Sequence, residues 1–375
     1  MIYLDNAATT RVCPEAAKAA LAAMTEGFGN PSSTHAPGRA ARTALRNARA
    51  DVAAAIGARP EELFFTSGGT EGDNWALRSG AALMARRGRH IVSSAVEHDA
   101  VRKSLDLLEK DGFEVTRLRP GPDSAVSPEA VRSALREDTV LVSLMLVNNE
   151  TGAVTDVAGI ARELKAAKSQ ALLHTDAVQG FLKVPCTAKG LGADMITLSG
   201  HKIHAPKGVG ALYVRSGLRL PALIAGGGQE EGKRSGTENM PGILAFAAAV
   251  NAARADRSAP ERMAALRERI LSTLRERLPE LLVNGGGAPH ILSLSLPGYR
   301  AETILNLLDS WDVCVSMGSA CKRGARSHVL DAMGLPPRVV DGTIRVSLCR
   351  FTTEADADGF CDALVRAKET LYPKL

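Results

Sequence analysis

Apolar and polar positions follow two different rhythms along this chain. Between residues 60 and about 215, short β-branched-rich runs recur: "ELFFTS", "HIVSSA", "FEVTRL", "TVLVSLML", "ALLHTD", "DMITLS" and "GALYV". Most are separated by Ala-, Leu- and charge-rich stretches of helical periodicity, such as "VAGIARELKAAKS". Strands alternating with helices predict an α/β fold, a mostly parallel sheet covered by helices on both faces. Ligands of such sheets sit beyond the carboxyl ends of the strands, so the polar clusters that follow each run are where chemistry is expected.

After about residue 250 the rhythm changes. Two long helical stretches, "GILAFAAAVNAARAD" and "PERMAALRERILSTLRERL", lead to the strand-like "HILSLSLPG" and the helical "RAETILNLLDS". The strand-like "GTIRVSL" and a last helix, "EADADGFCDALVRAKETL", close the chain. This pattern predicts a smaller α+β domain. The expected division is a large domain over residues 15–255 and a small one built from 1–14 and 256–375.

A length of 375 residues suits two domains that share an interface. The net charge of +5 is mild, and the basic residues are scattered over helical stretches such as "GRAARTALRNARA". No dense basic run with interleaved aromatics occurs, which argues against nucleic acid as the main ligand. The start "MIYLDNAATT" has neither the basic nor the apolar region of a signal peptide, and no apolar run approaches the ~20 residues of a membrane span. A cytoplasmic protein without membrane attachment is expected. The six cysteines, Cys13, Cys186, Cys314, Cys321, Cys349 and Cys361, form no CxxC pair and read as free thiols, with no metal site among them.

Five clusters fall at strand ends. In "FFTSGGTEGDNWAL", Gly68, Gly69 and Thr70 end a strand and open a helix, a cup for an anion or simply a turn. The stretch matches neither nucleotide-binding glycine pattern. In "LLHTDAVQG", Asp176 either caps a helix or pairs with a protonated pyridine nitrogen, with Gln179 three residues on. In "DMITLSGHKIHAPKGVGALYV", Lys202 stands beside Ser199, His201 and His204, placed to form a Schiff base; Lys207 is its local competitor. "SSAVEHDAV" puts His98 at a strand-to-helix junction. "LVNNETG" puts Asn148 and Asn149 on the same rim, where amides also shape turns. A phosphate cup, an acid for a pyridinium, a lysine for an imine and an aromatic base are the set that pyridoxal 5′-phosphate requires.

These residues resemble the NifS/IscS-type cysteine desulfurases of the class V aminotransferase group. The resemblance runs in order through "YLDNAATT", "GNPSSTH", "FTSGGTEGDN", "EHDAV", "NNETG", "HTDAVQG", "SGHK", "PKGVGALYV", "GGGQEEGKRSGTEN" and "GSAC", ending near "RVSLCRFTTEAD". It implies the fold type I of pyridoxal-phosphate enzymes. It selects Lys202 over Lys207 as the cofactor lysine, and implies that His98 stacks on the ring and assists proton transfer. Asp176 would meet the ring nitrogen, Gln179 the ring oxygen, and Asn149 both ring and substrate. Gly69, Thr70, Ser199 and His201 would hold the phosphate, with Thr237 of a second subunit completing the site in a homodimer. Arg345 would grip the carboxylate of L-cysteine, and Cys321 would take its sulfur as a persulfide for an acceptor such as an iron–sulfur scaffold or a tRNA-thiolation protein.

The chain departs from the family pattern at four places. Met317 replaces a serine or threonine, the segment after Cys321 is short, Cys349 stands where glycine is usual, and His204 and Ala205 replace a tyrosine–glycine pair. Lys322, Arg323 and Arg326 beside Cys321 either lower its thiol pKa or are solvated loop charges. The competing expectations are a selenocysteine lyase, another class V aminotransferase or lyase, and a scaffold that only docks sulfur acceptors.

Overall fold

A computed structural model describes residues 1–121, 123–317 and 326–373. Twelve strands occur among them: β1 (Ile2–Tyr3), β2 (Leu63–Thr66), β3 (His90–Ser94), β4 (Glu114–Leu118), β5 (Thr139–Ser143), β6 (Leu172–Asp176), β7 (Met195–Ser199), β8 (Gly210–Val214), β9 (Leu282–Val283), β10 (Ile291–Ser295), β11 (Val313–Cys314) and β12 (Thr343–Ser347).

Seven of them form the main sheet in the order β2-β8-β7-β6-β5-β3-β4. The strands β3 to β7 pair in parallel, while β8 runs antiparallel to both β7 and β2. The carboxyl ends of β2, β3, β5, β6 and β7 therefore share one edge. Every residue of β2, β3 and β5 to β8 is buried, because helices cover both faces; that double burial is why these strands read as continuous apolar runs.

The two faces carry separate cores. Phe65, Ile196, Phe181 and Phe246 belong to one, under the helices Ala36–Ala55 and Met240–Ala255. Phe181 and Phe246 meet edge to face with ring centres 6.3 Å apart, worth ~1 kcal/mol beyond simple burial. Trp75, Leu105, Leu141 and Met195 form the other, under the helices Gly69–Met84 and Asp99–Lys110.

A third core gathers Leu4, Ile270, Leu274, Leu294, Ile344 and Phe360 around the antiparallel sheet β12-β10-β9. The N-terminal segment bridges the cores: Leu4 packs in the third, Ala7 and Cys13 in the first. The parallel pair β1 and β11 and the bridge between Asp5 and Ser347 fasten its start to the smaller unit. Among the described residues no helix is long and apolar enough to cross a membrane.

Candidate active site

Beyond the shared strand edge lies a cavity of about 420 Å³. Its lining includes Gly69, Thr70, His98, Asn149, Asp176, Gln179, Ser199, His201 and Lys202, which the sequence had singled out one strand end at a time, and Arg345, which the family resemblance implied.

After β2, Gly68 caps the helix Gly69–Met84 with φ of 150°. A Cβ on Gly69 would lie 2.8 Å from Cγ2 of Val178, so only glycine lets the turn after β6 close against this helix start. The first turn of a helix has N–H groups without intrahelical acceptors. Ser199 faces that turn, and its hydroxyl is buried with no hydrogen-bond partner among the described residues. Glycine backbone, helix start and an orphaned hydroxyl make a site for an anion.

After β3, His98 caps the helix Asp99–Lys110, its Nδ1 accepting the Ala100 N–H at 3.1 Å. With Nδ1 used as an acceptor, Nε2 is the nitrogen that carries the ring proton. After β6, Asp176 is buried and accepts the Val178 N–H at 2.9 Å. Burial raises its pKa, while the Val178 N–H and the charge of Lys202 act to lower it. Gln179 donates to the Ala7 carbonyl at 2.8 Å and leaves its Oε1 buried without a partner among the described residues.

After β7, the tight turn Gly200–Lys202 projects Lys202, whose Nζ donates to the carbonyls of Ala7 and Ala8 at 2.6 Å each. Lys207 is exposed and does not line the cavity. Burial and the nearby lysines push His201 down to about 4, so it is neutral; its Nδ1 pairs with the Thr9 hydroxyl at 3.2 Å.

The two asparagines after β5 divide their work. Asn148 is turn-shaping, its Oδ1 accepting the N–H groups of Glu150 and Thr151 at 2.9 Å each. Asn149 lines the cavity, and its Oδ1 is buried and without a partner among the described residues. The Asn149 carbonyl accepts from Nη1 of Arg345 at 2.9 Å, and Asp5 pairs with Nη2 at 2.8 Å. Both contacts fix the guanidinium plane. Its Nε–H remains buried without an acceptor among the described residues.

Other expectations resolve differently. Thr237 is exposed and is not part of the lining of this cavity. Cys321, Lys322 and Arg323 lie outside the described residues. Arg326 lines the cavity with its guanidinium forked onto Asp341 at 2.8 and 3.0 Å. Met317 packs against the core of the smaller unit. His204 sits at φ 71° with Nδ1 2.8 Å from the Arg11 carbonyl and its ring edge-on to Phe351, a structural role that needs no chemistry.

Sequence reasoning missed several lining groups, above all Asp73 and Glu150, and the adjacent Glu97. Burial pushes Glu97 up to about 8. Glu150 is also raised by burial and accepts the Ser327 hydroxyl. The signal for Asp73 is its place four residues after Gly69, on the helix face that meets the sheet.

The chain is similar to known proteins over nearly its whole length. The family model for class-V aminotransferases matches residues 2–360. A cysteine desulfurase of Trichormus azollae is 43% identical over 378 residues, covering 99% of this chain and 94% of the relative. One of Cereibacter sphaeroides is 45% identical over 370 residues, covering 97% and 94%. The solved structure of a NifS-like protein superposes with a TM-score of 0.92 at 37% identity, covering 99% of this chain and all of that one.

Proposed function

This chain belongs to the class-V aminotransferase family, and on that premise we propose that it is a pyridoxal 5′-phosphate-dependent cysteine desulfurase. It would convert L-cysteine to L-alanine and carry the sulfur as a persulfide on Cys321. The observation that carries this reading is the convergence of Lys202, Asp176, His98, Gln179, Ser199 and Arg345 on one cavity.

The residues fit the cofactor atom by atom. The orphaned Ser199 hydroxyl and the helix start at Gly69 and Thr70 suit its phosphate, with His201 and, from a second subunit, Thr237 beside them. The buried carboxyl of Asp176 suits a protonated ring nitrogen, with which it would pair as the carboxylate. The unpaired atoms of Gln179 and Asn149 suit the ring oxygen and the substrate. Bound there, the cofactor supplies a sink for the electrons of the substrate's Cα–H bond.

The chain's own groups do the rest. Arg345, clamped by Asp5 and Asn149, takes the substrate carboxylate. Lys202 holds the cofactor aldehyde carbon and then moves the Cα proton, with His98 Nε2 as the second proton carrier. Cys321, as thiolate, attacks the substrate sulfur. The S–S bond forms as the substrate's Cβ–S bond breaks; the electron pair stays on carbon, which takes up a proton and becomes the alanine methyl group. The persulfide then serves an acceptor such as an iron–sulfur scaffold or a tRNA-thiolation protein. We place the working enzyme in the cytoplasm as a homodimer.

Incubation with L-cysteine and a reductant, with alanine and sulfide quantified, tests the reading. The wild type should release both in equal amounts, and Lys202→Ala and Cys321→Ala neither. Sulfide release undiminished in Cys321→Ala would exclude the persulfide route.

A further inference from the structure

Asp73 is a buried acid of the cavity for which the proposed chemistry has no use. It sits in the second turn of the helix Gly69–Met84, 1% exposed, and its Oδ1 has no hydrogen-bond partner among the described residues. A carboxyl oxygen of Asp73, one of Asp176 and a ring nitrogen of His98 all lie within 4.8 Å of one another. Two buried carboxylates at such a distance do not both ionise, because their mutual repulsion is unscreened by water.

We propose that Asp73 is a positioning residue that shares one proton with Asp176, so that the pair presents a single negative charge to the ring nitrogen of the bound cofactor. This rests on the cofactor reading above.

The surroundings decide which partner keeps the proton. Asp176 receives the Val178 N–H and the favourable charge of Lys202. Asp73 faces Asp176 from the end of β6, Glu97 and His98 from the junction after β3, and the Thr197 hydroxyl from β7. His174 approaches its Oδ1 to 3.7 Å from within β6. That ring is engaged by Ser143 and Thr197 and pushed to about 3 by burial, so it brings no positive charge. Glu97 is itself held neutral by burial at pH 7. Asp73 has the Thr197 hydroxyl alone to favour its ionised form, against the Val178 N–H and the Lys202 charge at Asp176, so the proton resides on Asp73. The consequence is a step in pH: one charge at the pair in neutral solution, a second only in alkaline solution.

The test compares wild type, Asp73→Asn and Asp176→Asn as full-length proteins from pH 6 to 9. Two quantities are read: the dissociation constant of pyridoxal 5′-phosphate, by absorbance titration, and the melting temperature of the cofactor-free protein. Asparagine mimics the protonated acid. Asp73→Asn should thus bind the cofactor within about threefold of wild type at pH 6 and fall behind by about tenfold at pH 9, where wild type gains its second charge. Without cofactor, wild type loses stability as pH climbs toward the raised pKa of Asp73, because the unfolded chain gives up the proton that the folded pair keeps, so the melting-temperature advantage of Asp73→Asn should grow with pH. Asp176→Asn should lose cofactor affinity already at pH 6 and move the melting-temperature step to lower pH. An affinity ratio and a melting-temperature gap that stay constant with pH would overturn the shared proton, as would a loss at pH 6 in Asp73→Asn equal to that in Asp176→Asn. If no variant nor wild type binds the cofactor, the functional reading fails, while the cofactor-free melting curves still decide the dyad. Should Asp73→Asn not fold, the step in Asp176→Asn decides it: an unmoved step overturns the proposal.

Discussion

Replacing Asp5 with alanine tests how the substrate-binding arginine is held. Arg345 and Asp5 pair at 2.8 Å with side chains 3% and 22% exposed. Removing one partner of a fully buried pair costs ~3–5 kcal/mol, because the other charge is left uncompensated. Two features reduce that here: Asp5 is partly solvated, and Nη1 keeps the Asn149 carbonyl. About 2 kcal/mol is therefore expected, a fall of roughly 2–3 °C in melting temperature for a chain of this size. The functional loss should lie in binding, since the guanidinium keeps its charge but not its orientation. KM for L-cysteine should rise about ten- to a hundredfold with kcat nearly unchanged. Asp5→Asn, which keeps an acceptor, should lose about half as much in free energy. Steady-state alanine formation and a thermal melt measure both. A lower KM would mean that Asp5 competes with substrate for the guanidinium. A fall in kcat alone would place Asp5 in the chemical step; either result refutes the positioning argument.

Three further outcomes follow from local geometry. Gly152 has φ 72° and a Cβ there would lie 2.9 Å from the Ile291 carbonyl oxygen, so Gly152→Ala should cost ~2 kcal/mol or more in a urea melt. Glu97, raised to about 8, contributes its stability fully below its unfolded pKa of ~4.3 and loses it as pH climbs to 8. Glu97→Gln should therefore gain on wild type by a few kcal/mol between those pH values, read from denaturant melts. His204, lowered to about 4, loses stability as pH falls below ~6.5 because the unfolded chain takes up the proton. His204→Asn tolerates the positive φ and should cost ~1 kcal/mol at pH 7, a deficit that shrinks by up to ~1.4 kcal/mol for each pH unit between 6.5 and 4.

Six of the seven strands of the main sheet, all but β4, were legible because burial on both faces leaves no polar alternation to confuse the pattern. The run "TVLVSLML" is the instructive exception, for the strand stops at Ser143. The Met145 N–H goes to the carboxylate oxygen of Glu97 and not to a neighbouring strand, a capture that no periodicity encodes. Lys202 and Lys207 were equivalent by position in the sequence. The fold separates them by ending β7 in a tight turn at Lys202 and leaving Lys207 on the exposed return to β8.

Buried acids were the least legible feature of the site. In the polar string "TEGDN", Glu71 is forked onto Arg234 at the helix surface, whereas Asp73, two residues on, is buried beside Asp176. Only the helical phase, 100° per residue, distinguishes them, and it does so once the sheet-facing side is known. Glu97 and Glu150 lie outside any helix, next to His98 and Asn149, and are more buried than either. A cavity edge with this many carboxyls pushed toward neutrality concentrates its charge on one of them, and that one is Asp176, the acid served by a backbone N–H and by the charge of Lys202.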